Sequence, residues 1–115
     1  RPGIAEALLR AGADQIALQA LADHAHSPSP ELVEEAVVVL CSLQGVRVAL
    51  QALVDAGPGL VRTIGVKAIC EFGRHQPAAI RSCAGDIVPG VLTMAADCPE
   101  DDTLQQNVAL LVGFC

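Results

Sequence analysis

Three groups of side chains could do chemistry in this sequence, and the first is a pair of histidines. His24 and His26 flank Ala25. On a helix this spacing turns the two imidazoles to different faces, so a metal ion would need further ligands, of which Asp97 and Cys98 are the nearest in kind. We interpret the histidines as a solvated helix end and predict no bound metal or other cofactor.

An acidic run and a thiol are the second and third groups. The run from Glu100 to Asp102 lacks the alternating oxygen ligands and the central glycine of a calcium loop, so we interpret it as a solvated loop. Cys83 follows Arg81, but one thiol near one cation is a weak sign of a nucleophile. No Ser-His-Asp set, Cys-His set or glycine-rich phosphate loop can be assembled. The sequence therefore predicts a protein that is not an enzyme.

Composition and charge exclude several classes of partner. The 115 residues carry a net charge of −6, which argues against nucleic acid or an anionic membrane surface. No stretch reaches the roughly 18 uninterrupted apolar residues that a membrane span needs. Hydrophobic residues make up 52% of the chain and aromatic residues only 2%. We therefore expect a core of Ala, Val, Leu and Ile, whose small side chains let helices approach closely.

The five cysteines indicate a reducing compartment. Their number is odd, and no C-x-x-C pair occurs. Cys41 and Cys70 recur in the same register of equivalent helices, where a third copy has Val112, so we predict that both are reduced thiols in the core. No signal peptide is visible, and we expect a cytoplasmic protein. The remaining thiols fall near helix ends or loops and are expected to be more exposed: Cys83, Cys98 and Cys115.

A repeated helical pattern organises the whole chain. The segment ALQALAD at 17–23 returns 32 residues later as ALQALVD at 49–55. A second pattern, an aliphatic stripe ending in Leu or Phe, recurs at 37–43, 66–72 and 108–114. A period between about 20 and 50 residues in a helix-forming context is typical of stacked repeats. We assign three units to one solenoid fragment of a longer array: residues 1–43, 44–75 and 76–115.

Capping and breaking residues set the expected helix boundaries. Gly12 ends a first short helix, and Pro30 opens a long one. The expected inward side chains of the second helix are Ile16, Leu18 and Leu21, and those of the third are Val33, Val37, Leu40 and Leu43. The full set of predicted helices covers 4–11, 14–24, 30–43, 46–56, 60 to 72 or 73, 77–84, 87–96 and 103–115.

This order of helices resembles the armadillo repeat. The sequence ALLRAG at 7–12 is similar to the end of the family's first helix, GDIVP at 85–89 to the opening of its second, and 35–43 to its third. The middle unit lacks a first helix and is closer to the two-helix HEAT repeat. The resemblance implies an all-α, right-handed α-solenoid of about three armadillo- or HEAT-like repeats, packed against neighbouring repeats of the same chain.

In armadillo proteins the third helices line a groove that holds extended peptides, so the resemblance implies a protein or peptide partner. Importin-like members place Trp and Asn in this groove, but the matching positions here include Val38, Lys67, Ser42 and Glu71. Recognition of basic import peptides is therefore not expected, and only the shape of the groove carries over. The exposed groove positions we expect are Glu34, Val38, Ser42, Thr63, Lys67, Glu71, Gln105, Gln106 and Ala109.

The predicted function is a non-enzymatic protein-interaction module, a scaffold or adaptor. The alternative is a fixed structural segment of a large cytoskeletal or ciliary assembly.

Two packing questions follow from the pattern. Gly65 lies either at a close helix contact or on an exposed helix face, and substitution distinguishes these. The last helix presents an apolar stripe that we expect to be too large for one neighbour to cover, which predicts self-association and a further helix pair: Leu104, Val108, Leu111 and Cys115.

Overall fold

The structure, a computed structural model, describes residues 12–23 and 29–115, and every regular element in these ranges is a helix. The predicted all-α fold is confirmed for them. The predicted helix at 4–11 and both His24 and His26 lie outside the described residues. The helices are α1 Ala13–Asp23, α2 Pro30–Leu43, α3 Val46–Ala56, α4 Leu60–His75, α5 Pro77–Arg81, α6 Ala84–Asp97 and α7 Asp102–Phe114.

Proline and glycine place most of these boundaries as predicted. Pro30 is the first residue of α2, and Gly45 and Gly57 flank α3, so both helices have the predicted bounds. Helix α4 runs to His75, beyond the predicted end, and stops only before Pro77. The short helix predicted at 77–84 covers only Pro77–Arg81, and α6 begins at Ala84, three residues before its predicted start at 87.

The helices form three pairs, α1–α2, α3–α4 and α6–α7, with α5 beside α4. The second members of the pairs are neighbours in the order α2, α4, α7, which we call the second-helix row. The first members are neighbours in the order α1, α3, α6, the first-helix row. Side chains that project from adjacent members of one row therefore share a surface.

The core lies between the two rows and is aliphatic, as the composition predicts. Its fully buried side chains include Leu40, Leu53, Ile69 and Leu104. Of the residues predicted to face inward, Val33, Val37, Leu40 and Leu21 are buried, and Leu18 and Leu43 are half-buried. The prediction for Ile16 is wrong, because this side chain is 68% exposed at the edge of the first helix pair.

Gly65 lies at a close helix contact, which settles the first packing question. The residue is buried, and a Cβ atom there would lie 2.3 Å from Cδ2 of Leu53. Gly90 makes a similar approach between α6 and α3, since a Cβ atom there would lie 3.0 Å from Cδ2 of Leu50. The small-residue packing expected from composition thus occurs at specific helix crossings.

The apolar stripe of α7 is largely covered within the chain. Leu104, Val108 and Leu111 are buried, because α7 packs against α4 as well as α6. Two helices of the same chain rather than one therefore cover these three side chains, and the predicted self-association stays a prediction. Leu110, on the flank of the stripe, is 47% exposed, and Cys115 is exposed.

Candidate partner-binding groove

Four of the nine predicted groove positions come together in one depression. Glu34 and Val38 on α2 and Lys67 and Glu71 on α4 line a cavity of about 350 Å³. Each pair is spaced by four residues, which places its members on one face of its helix. Since α2 and α4 are neighbours in the second-helix row, the two faces form opposite walls. We call this depression, with its four residues, the partner groove.

The partner groove is mixed in charge and open to solvent. All four side chains are exposed, and Val38 supplies an apolar surface that is 42% exposed. Glu71 pairs with Arg74 through Oε1 and Nη1 at 3.4 Å, on side chains that are both about half exposed. Within the described ranges Lys67 has no ion pair, so its ammonium group can bind a partner's carboxylate or carbonyl oxygen.

The surface continues along α2. Glu34 and Val38 also line a shallower depression of about 380 Å³ together with Glu35 and Val39. Ser42, four residues after Val38, is exposed as predicted. The α2 wall therefore offers carboxylates beside aliphatic side chains over two helical turns.

The α7 positions divide into exposed and engaged residues. Gln106 and Ala109 are exposed, as predicted. Gln105 is half-buried, and its Nε2 donates to the carbonyl oxygens of Ala95 at 2.8 Å and Cys98 at 2.9 Å. The prediction that Gln105 is an exposed groove residue is wrong, because its amide closes the C-terminal end of α6.

Thr63 is also wrongly predicted as exposed. It is 9% exposed, and its hydroxyl donates to Oδ2 of Asp101 across the junction of α4 with the α6–α7 loop. Oδ1 of Asp101 accepts from the N–H of Leu104 at 3.0 Å, so this carboxylate is the N-cap of α7. The Thr63 hydroxyl and then the Leu104 N–H hold the pKa of Asp101 below its ordinary value.

Arg62 is a structural residue that the sequence reasoning missed. Its side chain is 4% exposed. Nε donates to the Leu53 carbonyl oxygen at 3.2 Å, Nη2 to that of Val54 at 2.9 Å, and Nη1 to Oδ2 of Asp97 at 3.1 Å. A cation at the C-terminal carbonyls of α3 interacts favourably with the helix dipole. The sequence does carry one indication of this burial, because Arg62 lies four residues before Val66 and so falls on the same buried face of the helix.

Burial makes three of the five thiols less acidic than a free cysteine. Cys41 and Cys70 are buried, as predicted, and burial raises their pKa values to about 12 and about 11. Burial also raises the pKa of the half-buried Cys83. Cys98 is half-buried and Cys115 exposed. Because the thiolate is the reactive form, Cys41, Cys70 and Cys83 are weakly reactive at neutral pH.

We also searched the described residues for a metal site and for a membrane-spanning helix. Residues 12–23 and 29–115 hold no group of three or more His, Cys, Asp or Glu side chains placed to bind a metal ion. No helix in these ranges has the length and apolar character to cross a membrane.

A larger depression of about 500 Å³, which sequence reasoning did not anticipate, lies on the first-helix row and is lined by Arg47, Gln51, Asp55 and Asp86 among others.

Comparison with known proteins gave no match to a family model, a curated protein or a solved structure. Functional interpretation therefore rests on the residues of this chain.

Proposed function

We propose that the chain is a non-enzymatic protein-interaction module that binds a protein segment in the partner groove. The observation that carries this proposal is the convergence of Glu34, Val38, Lys67 and Glu71 from two neighbouring helices. An apolar surface beside one unpaired ammonium group and two carboxylates matches the polar rim and apolar centre of protein interfaces. The partner is a segment that places an apolar side chain on Val38 between groups of both charge signs.

The module belongs, in this proposal, to a right-handed α-solenoid of armadillo- or HEAT-like repeats. Two observations support it. The helices pair as α1–α2, α3–α4 and α6–α7, and equivalent members of successive pairs are neighbours. The Cα atoms extend 41 × 32 × 19 Å, and the thinnest dimension accommodates two helix layers about 10 Å apart. The units 1–43, 44–75 and 76–115 are then successive repeats, and the second-helix row is the binding face.

Site-specific crosslinking identifies the partner and its site together. A photoreactive amino acid replaces Val38 in the partner groove, and a control chain carries it at Gln51, which is exposed on α3. A partner that crosslinks from position 38 and not from position 51 is then purified. We expect Lys67→Glu/Glu71→Lys to weaken its binding at least about tenfold, or about 1.4 kcal/mol.

A matched charge reversal controls for nonspecific electrostatics. Arg47→Glu/Asp86→Lys reverses one cation and one anion at exposed positions on α3 and α6, with the same zero change in net charge. We expect this variant to bind like the parent, and circular dichroism to show unchanged helicity in both variants. If the two reversals weaken binding equally, or if the groove reversal has no effect, the groove is not the binding site.

A fixed structural segment of a large cytoskeletal or ciliary assembly is the second candidate, and one observation favours it. Leu92 on α6 is 53% exposed and Leu110 on α7 is 47% exposed, so the last helix pair presents apolar side chains to a further unit or subunit. Leu92→Lys/Leu110→Lys separates the two functions. Loss of incorporation into an assembly, with groove binding intact, would support the structural role.

A further inference from the structure

The depression of about 500 Å³ on the first-helix row is a surface that the proposed function does not use. Half-buried aliphatic side chains form its floor, among them Leu18 of α1 and Val48 of α3, and exposed polar side chains form its rim. An apolar centre inside a polar rim is the usual anatomy of a protein-binding surface. We call this depression the first-row groove, and its rim residues are Arg47, Gln51, Asp55 and Asp86.

Helix α3 sets the length of the first-row groove. Arg47, Gln51 and Asp55 are spaced by four residues, so they lie along one face of α3. From Arg47 to Asp55 this face covers about 12 Å, or a little more than two helical turns. The groove is therefore an elongated strip beside a helix, with a cation at the start of α3 and an anion at its end.

Helix α6 runs alongside α3 in the same direction. Gly90 approaches α3 near the middle of both helices. Arg62 then joins the last turn of α3 to Asp97, the last residue of α6. Asp86 lies one turn before Gly90, so it is at the same end of the groove as Arg47. The opposite charges of Arg47 and Asp86 offset each other at this end.

Asp55 carries the uncompensated charge of the first-row groove. It is exposed, and its Oδ1 accepts from Nε2 of Gln51 at 2.9 Å, but within the described ranges it has no ion pair. It lies in the last turn of α3, where the helix dipole disfavours an anion. A residue that breaks a local rule without compensation from its neighbours is typical of a functional site.

We propose that the first-row groove binds an amphipathic helix of a partner protein, parallel to α3, with a lysine or arginine of its last turn on Asp55. A helix fits because the floor is an apolar strip about two turns long, as in other helix-in-groove complexes. Charge sets the direction, since a helix favours its own cations in its last turn. Only the parallel direction brings that turn to Asp55.

A stapled peptide of about 12 residues tests the proposal, because the staple keeps so short a helix folded. The probe has a leucine stripe, lysines in its last turn and no other charge. On titration into the isotope-labelled chain, we expect NMR shift changes at the amides of Leu18 and Gly90. Asp55→Lys, which the dipole of α3 favours, should weaken binding at least about tenfold, or about 1.4 kcal/mol. A nitroxide at the C-terminus of the peptide should broaden the amide signal of Ala56 more than that of Arg47.

Glu100→Lys is the matched control, because it makes the same change in net charge at an exposed position of the α6–α7 loop. Lys67→Glu/Glu71→Lys alters the partner groove instead. We expect both variants to bind the peptide like the parent. The proposal is overturned if the peptide does not bind at about 1 mM, if Asp55→Lys and Glu100→Lys weaken it equally, or if the partner-groove variant abolishes binding. Equal affinity for an extended, proline-rich peptide with the same lysines would refute the helical occupant, and stronger broadening at Arg47 would refute its direction.

Discussion

A methyl group added at Gly65 tests the closest helix contact of the fold. A Cβ atom at this position would lie 2.3 Å from Cδ2, 2.7 Å from Cδ1 and 3.0 Å from Cγ of Leu53. Carbon atoms in contact prefer about 3.5–4.0 Å, so Leu53 or the α3–α4 crossing would have to move by about 1 Å. Leu53 is fully buried, so no open space receives its side chain.

The expected cost is set by two opposing effects. Overpacking a core typically costs about 1–3 kcal/mol. Replacing a helical glycine with alanine returns up to about 1 kcal/mol through helix propensity. We expect the overpacking cost to exceed the gain in helix propensity, so that Gly65→Ala lowers the free energy of unfolding by about 1–2 kcal/mol. Urea denaturation followed by circular dichroism measures this difference as a shift in midpoint.

Two comparisons isolate the contact as the cause. A Cβ atom at Gly85, an exposed glycine in α6, would meet nothing within 4 Å, so Gly85→Ala should leave stability unchanged or raise it. Leu53→Val removes both Cδ atoms, and in that background Gly65→Ala should cost much less, a non-additive pair. The reasoning is refuted if Gly65→Ala stabilises as Gly85→Ala does, or if its cost is the same with valine at 53.

Two polar contacts give further predictions. Arg62→Met leaves the carbonyls of α3 without their buried donor, and we expect a loss of about 2–4 kcal/mol in urea denaturation; Asp97→Asn, at a side chain that is 47% exposed, should cost under about 1 kcal/mol. If the two variants cost the same, the carbonyl contacts are unimportant. Thr63→Val removes a hydrogen bond that lowers the pKa of Asp101. A carboxyl group whose pKa is lowered by folding stabilises the fold fully above its unfolded pKa of about 3.9. The difference in unfolding free energy between Thr63→Val and the parent should therefore be largest near pH 7. It should shrink as the pH falls through the pKa of Asp101 in the folded protein. A difference independent of pH would contradict this.

The parts of the structure that sequence predicts are those that local rules determine. The bounds of α2 and α3 follow from Pro30, Gly45 and Gly57, which act on the backbone beside them. The shared face of Lys67 and Glu71 follows from a spacing of four residues. The 29-residue shift between 37–43 and 66–72 gives Val38 and Lys67 equivalent positions, and both line the same depression. That a partner binds there stays a prediction.

The missed features depend on which distant residues become neighbours. Arg62 meets Asp97 across 35 positions of sequence, and Thr63 meets Asp101 across 38. Helical periodicity assigns each side chain to a face but gives no distance between units, so Thr63 looked like an exposed member of the stripe that includes Lys67.

These same contacts fix the frame of the partner groove. Arg62 ties the start of α4 to the end of α3, and Thr63 ties it to the cap of α7. Lys67 and Glu71 follow on the same helix, one and two turns after Thr63. The contacts that hold the start of α4 therefore also fix the positions of Lys67 and Glu71. Buried polar contacts therefore fix the position of the exposed side chains that line the partner groove, and a substitution at Arg62, which does not line the groove, should change the shape of the groove.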